Sequence, residues 1–137
     1  MAFEKSVSLF WRLQKAKYGL VGSKCETCNR LFFPPRPLCS DCRRKGNMVD
    51  HQFTPSGKIV SSTVIRTPPD GFEQYAPYAV AIIRLDEGPQ ITGQVVGDLK
   101  TIDTGKAVRA VFRKISEDGD DGMIHYGLKW EVVGNKQ

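Results

Sequence analysis

Residues 25–42 read CETCNRLFFPPRPLCSDC, and their four cysteines decide how the chain is built. The spacing is Cys25-x2-Cys28-x10-Cys39-x2-Cys42. Each C-x-x-C pair sets two sulfurs on one tight turn, where backbone N–H groups can point at the thiolates. Two such turns supply four soft ligands for a tetrahedral zinc ion at about 2.3 Å. Four thiolates fill the shell and leave no position for water, so the site reads as structural rather than catalytic. Free buried thiols and a redox C-x-x-C pair are the competing readings. Iron is a further alternative, because a tetrahedral S4 set accepts either metal.

The turns around the sulfurs are only partly ideal. Asn29 follows the first pair and tolerates a left-handed backbone, whereas Arg43 follows the second, where glycine would be easier. Between the pairs, Pro34, Pro35 and Pro37 fix φ and stiffen the return segment. A PxxP-type ligand is conceivable there, but a rigid loop inside a zinc ribbon is the preferred reading.

Upstream, residues 4–18 show helical periodicity. Val7, Phe10, Trp11, Gln14 and Tyr18 recur at three- and four-residue steps, and Leu9 and Leu13 widen the apolar stripe. Gly19 and Gly22 end the segment. So aromatic a helix either packs on its own domain, docks on a partner or covers an acyl chain.

Downstream, residues 47–56, with His51 and Pro55, read as a connector, and from Gly57 short strands alternate with turn signals. Strands are expected near 58–66, 78–86, 90–96, 107–115 and 124–132, separated by Pro68-Pro69-Asp70-Gly71, Glu87-Gly88-Pro89, Thr104-Gly105 and Asp118-Gly119-Asp120-Asp121-Gly122. In the last strand Ile124, Tyr126, Leu128, Trp130 and Val132 share one face, with His125, Lys129 and Glu131 on the other. Residues 79–83 are apolar on both faces, which suggests burial on both sides in a closed small barrel. Five strands in this length suit an OB-like barrel, with an SH3-like barrel as the alternative. The fold class is therefore mainly β: an N-terminal helix over 1–23, a rubredoxin-like zinc ribbon over 24–46 and a five-stranded OB-fold domain over 47–137.

The net charge of +5 is uneven: residues 1–46 hold ten Lys and Arg against three acidic residues, and residues 47–137 hold ten against twelve. A basic front third suggests an anionic partner, or else a solvated basic face. No apolar run reaches signal-peptide or membrane-span length, so a cytoplasmic protein without membrane partners is expected. In a reducing compartment, paired cysteines favour metal over disulfides.

These residues resemble a known family. The run Phe10-Trp11, the motif C-x-x-C followed by FPPRP-x-C, the segment Gly57–Val64, the segment Pro77–Pro89 and Gly105-Lys106-Ala107-Val108 are similar to an archaeal and bacterial family. That family joins an N-terminal helix, a rubredoxin-like zinc ribbon and an OB fold, and was long labelled a domain of unknown function. Arg43 departs from the glycine usual after the second knuckle. The resemblance implies a non-enzymatic adaptor that assembles with thiolase-like and hydroxymethylglutaryl-CoA synthase-like enzymes and helps bind or channel a CoA thioester. Under that reading Phe10, Trp11, Lys24, Phe33 and Arg36 border the ligand or partner surface: cations can meet CoA phosphates, and aromatics can cover its apolar arm.

The residues bear on two other functions. A single-stranded nucleic-acid module would need stacking aromatics on the barrel strands, which are poor in them, and the barrel half is net negative. An enzyme would need a reaction centre. No nucleophile elbow, phosphate loop or dinucleotide glycine fingerprint is present. His51 reads as a local hydrogen bonder in the connector and His125 as solvent-facing on the last strand. The acidic run 117–121 lacks calcium-loop spacing and reads as a hairpin tip.

Overall fold

The computed structural model describes residues 6–134, which fall into two units that part between Phe53 and Thr54. No helix among these residues is long and apolar enough to cross a membrane.

In the first unit the expected single helix is two short ones, α1 (Val7–Arg12) and α2 (Gln14–Gly19). They meet at Leu13, whose ψ of 2° tightens the turn while its N–H still bonds Leu9 O. Residues 4 and 5 of the expected helix lie outside the described part of the chain. Neither helix has a buried residue. The second helix stops at Leu20, which takes a left-handed φ of 54° and is itself buried.

The next strand, β1 (Val21–Cys25), is the centre of a three-stranded antiparallel sheet, flanked by β2 (Leu31–Phe32) and β3 (Met48–Gln52). β3 corrects the expected connector: Met48–Gln52 pair residue for residue with Cys25–Val21 and belong to the ribbon, not to the barrel. The signal was weak because this strand is half polar and carries no clean alternation. Its His51 packs edge-on against Phe53, with ring centroids 4.9 Å apart, and Phe53 is the buried anchor of this sheet.

The second unit is a closed barrel of β4 (Ser56–Ile65), β5 (Tyr78–Leu85), β6 (Gln90–Val96), β7 (Ala107–Glu117) and β8 (Ile124–Val132). Going round, the order is β4-β5-β6-β8-β7, with β7 closing on β4 and β6 running parallel to β8. Bulges after Ile59 in β4 and Lys114 in β7 allow the strands to coil into closure. Inward-facing Ile59, Ala79, Ala81, Ile83, Leu85, Val95, Val108 and Trp130 fill the interior. Gly93 on β6 leaves room for Trp130, since a Cβ there would lie 2.5 Å from the indole ring.

Two expectations about the strands are corrected. β5 is not buried on both faces: Ala79, Ala81, Ile83 and Leu85 point inward, while Ile82 is 39% exposed on the outside. In β8 the two faces exchange roles along the strand. Trp130 lies inside the barrel, but Ile124 and Tyr126, on the same face, are exposed. His125 is not solvent-facing; it is 4% exposed and hydrogen-bonded to Asp118 at 2.7 Å. The cause is length. The β7–β8 hairpin outruns the barrel, so the inward face emerges into solvent. The opposite face is covered instead: Tyr75, on the β4–β5 connection, lies 4.8 Å from the Lys129 ammonium, and Ile115 lies over Gly127. Burial, helped by the charge of Arg113, lowers the pKa of Lys129.

Gly93→Ala is expected to force the Trp130 ring aside and to lower the stability of the protein by about 1–3 kcal/mol, the usual cost of overpacking. Chemical denaturation followed by Trp fluorescence checks this.

Candidate metal centre

The two C-x-x-C turns are near copies of each other. Asn29 N–H bonds Cys25 O at 2.7 Å, and Arg43 N–H bonds Cys39 O at 3.0 Å. The residue after each pair takes the left-handed conformation, φ 59° at Asn29 and 51° at Arg43. Asparagine tolerates this locally; for Arg43 the conformation costs about 1–2 kcal/mol. The first turn is carried by the end of β1, whose Cys25 N–H bonds Arg30 O. The second turn is held against it by Arg30, which reaches across to Asp41 at 2.6 Å and to the Ser40 hydroxyl at 3.1 Å. These side chains are half exposed, so the ion pair adds little stability by itself.

The result is a cluster in which the sulfurs of Cys25, Cys28, Cys39 and Cys42 all lie within 4.8 Å of one another, Cys28 Sγ and Cys39 Sγ at 3.5 Å. Tetrahedral zinc with bonds of about 2.3 Å needs sulfurs about 3.8 Å apart, so the set fits the ion. All four are free thiols rather than disulfides. Their titration is split by crowding. The backbone N–H of Cys28 directed at Cys25 lowers that thiol to about 6, against the opposing effect of burial. Cys42 is pushed up to about 12 by the proton it shares with Cys28, by burial and by the neighbouring negative sulfurs. Four thiolates at this spacing repel one another strongly; a dication removes that repulsion.

One residue of the cage escaped the sequence reading. Gly46 passes so close that a Cβ would lie 3.1 Å from Cys25 Sγ and 3.0 Å from Cys42 Cβ. Its signal was present only as a glycine four residues after the last cysteine.

Residues 14–49 match the family model described as ChsH2, rubredoxin-like zinc ribbon domain, and residues 50–113 match ChsH2, C-terminal OB-fold domain. The chain is 47% identical over 122 residues to a DUF35 domain-containing scaffold protein of Methanothermobacter thermautotrophicus, covering 88% of this chain and 92% of the relative. This chain belongs to the DUF35 scaffold-protein family. A DUF35 scaffold protein of Methanocaldococcus jannaschii is 44% identical over 134 residues, covering 96% and 94%. Among solved structures, Ltp2-ChsH2(DUF35) aldolase superposes with a TM-score of 0.68 at 23% identity, covering 96% of this chain and 98% of that one. A DUF35-family protein of unknown function from Sulfolobus solfataricus gives 0.54 at 23% identity, covering 95% and 89%. These two show a common fold. With the ribbon family and the four-sulfur cluster, the metal is structural zinc.

The remaining sequence-selected residues are spread over three elements. Phe10 and Trp11 lie on α1. Phe10 is half-buried beneath the Lys17 ammonium at 4.7 Å, whereas Trp11 is 77% exposed. Lys24 is half-buried in β1, paired with Leu31 and Val49. Arg36 lies in the proline loop, its guanidinium 5.5 Å from the Phe32 ring and its N–H donated to the buried Ser23 hydroxyl. Phe33 is half-buried and meets Phe53 edge-on at 6.1 Å, so it supports the ribbon from within.

Cys39→Ser is expected to abolish stoichiometric zinc and to unfold the ribbon, because zinc in such sites supplies about 10–16 kcal/mol of folding free energy. Metal analysis and amide hydrogen exchange check this, with protection lost in β1–β3 and kept in β4–β8. Gly46→Ala should leave the ligands intact yet weaken zinc retention against a chelator, through overpacking worth about 1–3 kcal/mol. Zinc affinity should also fall on acidification, more steeply below about pH 6, where Cys25 takes up a proton that the metal must displace; competition with a chelator across pH checks this.

Proposed function

We propose that this protein is a non-enzymatic adaptor that binds acyl-CoA enzymes, of the thiolase and hydroxymethylglutaryl-CoA synthase types, and helps hold or pass a CoA thioester between them. The observation that carries this reading is the first helix. Val7, Leu9 and Trp11 are 67%, 50% and 77% exposed on a segment that buries none of its residues. A large aromatic held in water at that exposure is the kind of anchor on which interfaces depend. The metal site supports the same reading, since a shell closed by four sulfurs has no position for substrate.

The relatives' names agree with it. Three archaeal relatives are named scaffold proteins. A partial match from Thermomonospora curvata, 33% identical over 90 residues and covering 27% of that protein, is named a probable enoyl-CoA hydratase alpha subunit. Phe10 and Trp11 would enter an apolar groove of the partner enzyme. Lys24 and Arg36, on the ribbon, would meet the phosphates of the CoA. The protein would work in the cytoplasm beside those enzymes.

A second reading, a single-stranded nucleic-acid module, has one observation in its favour. Phe112 and Tyr126 are exposed and stacked on the β7–β8 hairpin, with ring centroids 5.3 Å apart and planes 11° from parallel. Each ring covers one face of the other, so only the outer faces of the pair remain for bases.

Trp11→Ala is expected to weaken binding to a purified thiolase-type partner at least 30-fold, the factor for a hot-spot loss of about 2 kcal/mol, while zinc content and melting temperature stay unchanged. Analytical size exclusion and titration calorimetry measure it. Failure of the unmodified protein to co-elute with either enzyme type overturns the adaptor reading. A salt-dependent mobility shift with single-stranded DNA would favour the second.

A further inference from the structure

The outer face of the barrel brings two cations side by side. Lys58 on β4 and Arg84 on β5 are directly opposite each other in the antiparallel register. Both are exposed and face outward, since their neighbours Ile59, Ile83 and Leu85 point into the core. Opposed residues on one sheet face have Cβ atoms about 4.5–5.5 Å apart, and like charges placed so are destabilising. Among the described residues neither cation forms an ion pair.

The pair sits in a groove of about 500 Å³ that is also lined by Val60, Asp86, Thr104 and Gly105. Asp86 is the one acid there, and it is engaged by the hydroxyl of Ser56 rather than by either cation. The Thr104-Gly105 turn is pinned to β4 by the bond from Gly105 N–H to Ile59 O at 2.8 Å, so the groove wall is fixed. Next to the cations, Val60 and Ile82 are 37% and 39% exposed.

We propose that this groove binds a phosphoryl group, held between the Lys58 ammonium and the Arg84 guanidinium. A multiply charged oxyanion converts the repulsion between the two cations into two attractive contacts. Guanidinium supplies paired N–H donors to two of the oxygens, and ammonium supplies a point charge to a third. The exposed Val60 and Ile82 then offer an apolar strip to whatever the phosphoryl group is attached to. The site lies wholly within β4, β5 and the β6–β7 connection, and stands whether or not the adaptor reading does.

The test uses the full-length, zinc-loaded protein and inorganic pyrophosphate at constant ionic strength, followed by amide chemical shifts. Saturable shifts confined to residues 57–60, 83–86 and 104–106 are expected, and Lys58→Gln and Arg84→Gln should each weaken binding at least fivefold. Lys58→Gln should also leave the phosphate-free melting temperature unchanged or raised, since it removes a like charge, and should abolish the rise that pyrophosphate produces in the unmodified protein. A parallel titration with adenosine 3′,5′-bisphosphate separates sources: tighter binding points to an organic phosphate ester using the apolar strip, equal binding to the bare oxyanion. Shifts that fail to saturate, or that are the same in both variants, overturn the proposal.

Discussion

Four sulfurs brought within 4.8 Å of one another make a demand that the polypeptide alone cannot satisfy. Thiolates at that distance repel, and thiols there leave a polar cluster beside a very small apolar centre. Among the described residues of the first unit, the fully buried hydrophobic side chains are Leu20, Phe53 and two of the cysteines themselves. So little apolar surface could not offset the entropy of ordering a sheet. Zinc does it by joining the end of β1 to a loop fourteen residues further along. Other details of the unit serve that junction: the two left-handed residues after the cysteine pairs, the reach of Arg30 across the knuckles, and the bare backbone of Gly46.

The barrel rests on a different principle. Its interior is continuous, tiled by alternate residues of five strands around one indole, and needs no ion. This contrast explains where the sequence was legible. Metal spacing is a local code, and the ligand set could be read from eighteen residues. Glycine- and proline-marked turns are likewise local, so the expected strands 58–66, 78–86, 90–96, 107–115 and 124–132 fall within two residues of β4–β8 at each end. What was missed depends on partners distant in the chain. β3 is a strand because β1 lies beside it, not because Met48–Gln52 alternate. His125 is buried because Asp118 and the far end of a long hairpin enclose it, which alternation within β8 cannot reveal. Gly46 is part of the metal cage only once the chain has folded back on its own sulfurs.

The same division organises function. The ion is shut away, and the buried histidine is tied to a carboxylate, so what the protein offers its surroundings is surface. An indole exposed on α1, a guanidinium stacked on Phe32 and a cationic pair on the outside of the barrel are each costly or idle in water and useful against another molecule. That is the chemical character expected of a member of a scaffold family.

The parallel contact between β6 and β8 has a consequence for biosynthesis. β6 gains its second neighbour only from the final strand, which also delivers the Trp130 plug. During translation the chain up to Phe53 can already take up metal, while β4 to β7 must wait, with their inward faces uncovered, until β8 leaves the ribosome. The barrel cannot close before β8 is made, and in the interval before it closes the uncovered inward faces of β4 to β7 are prone to aggregation.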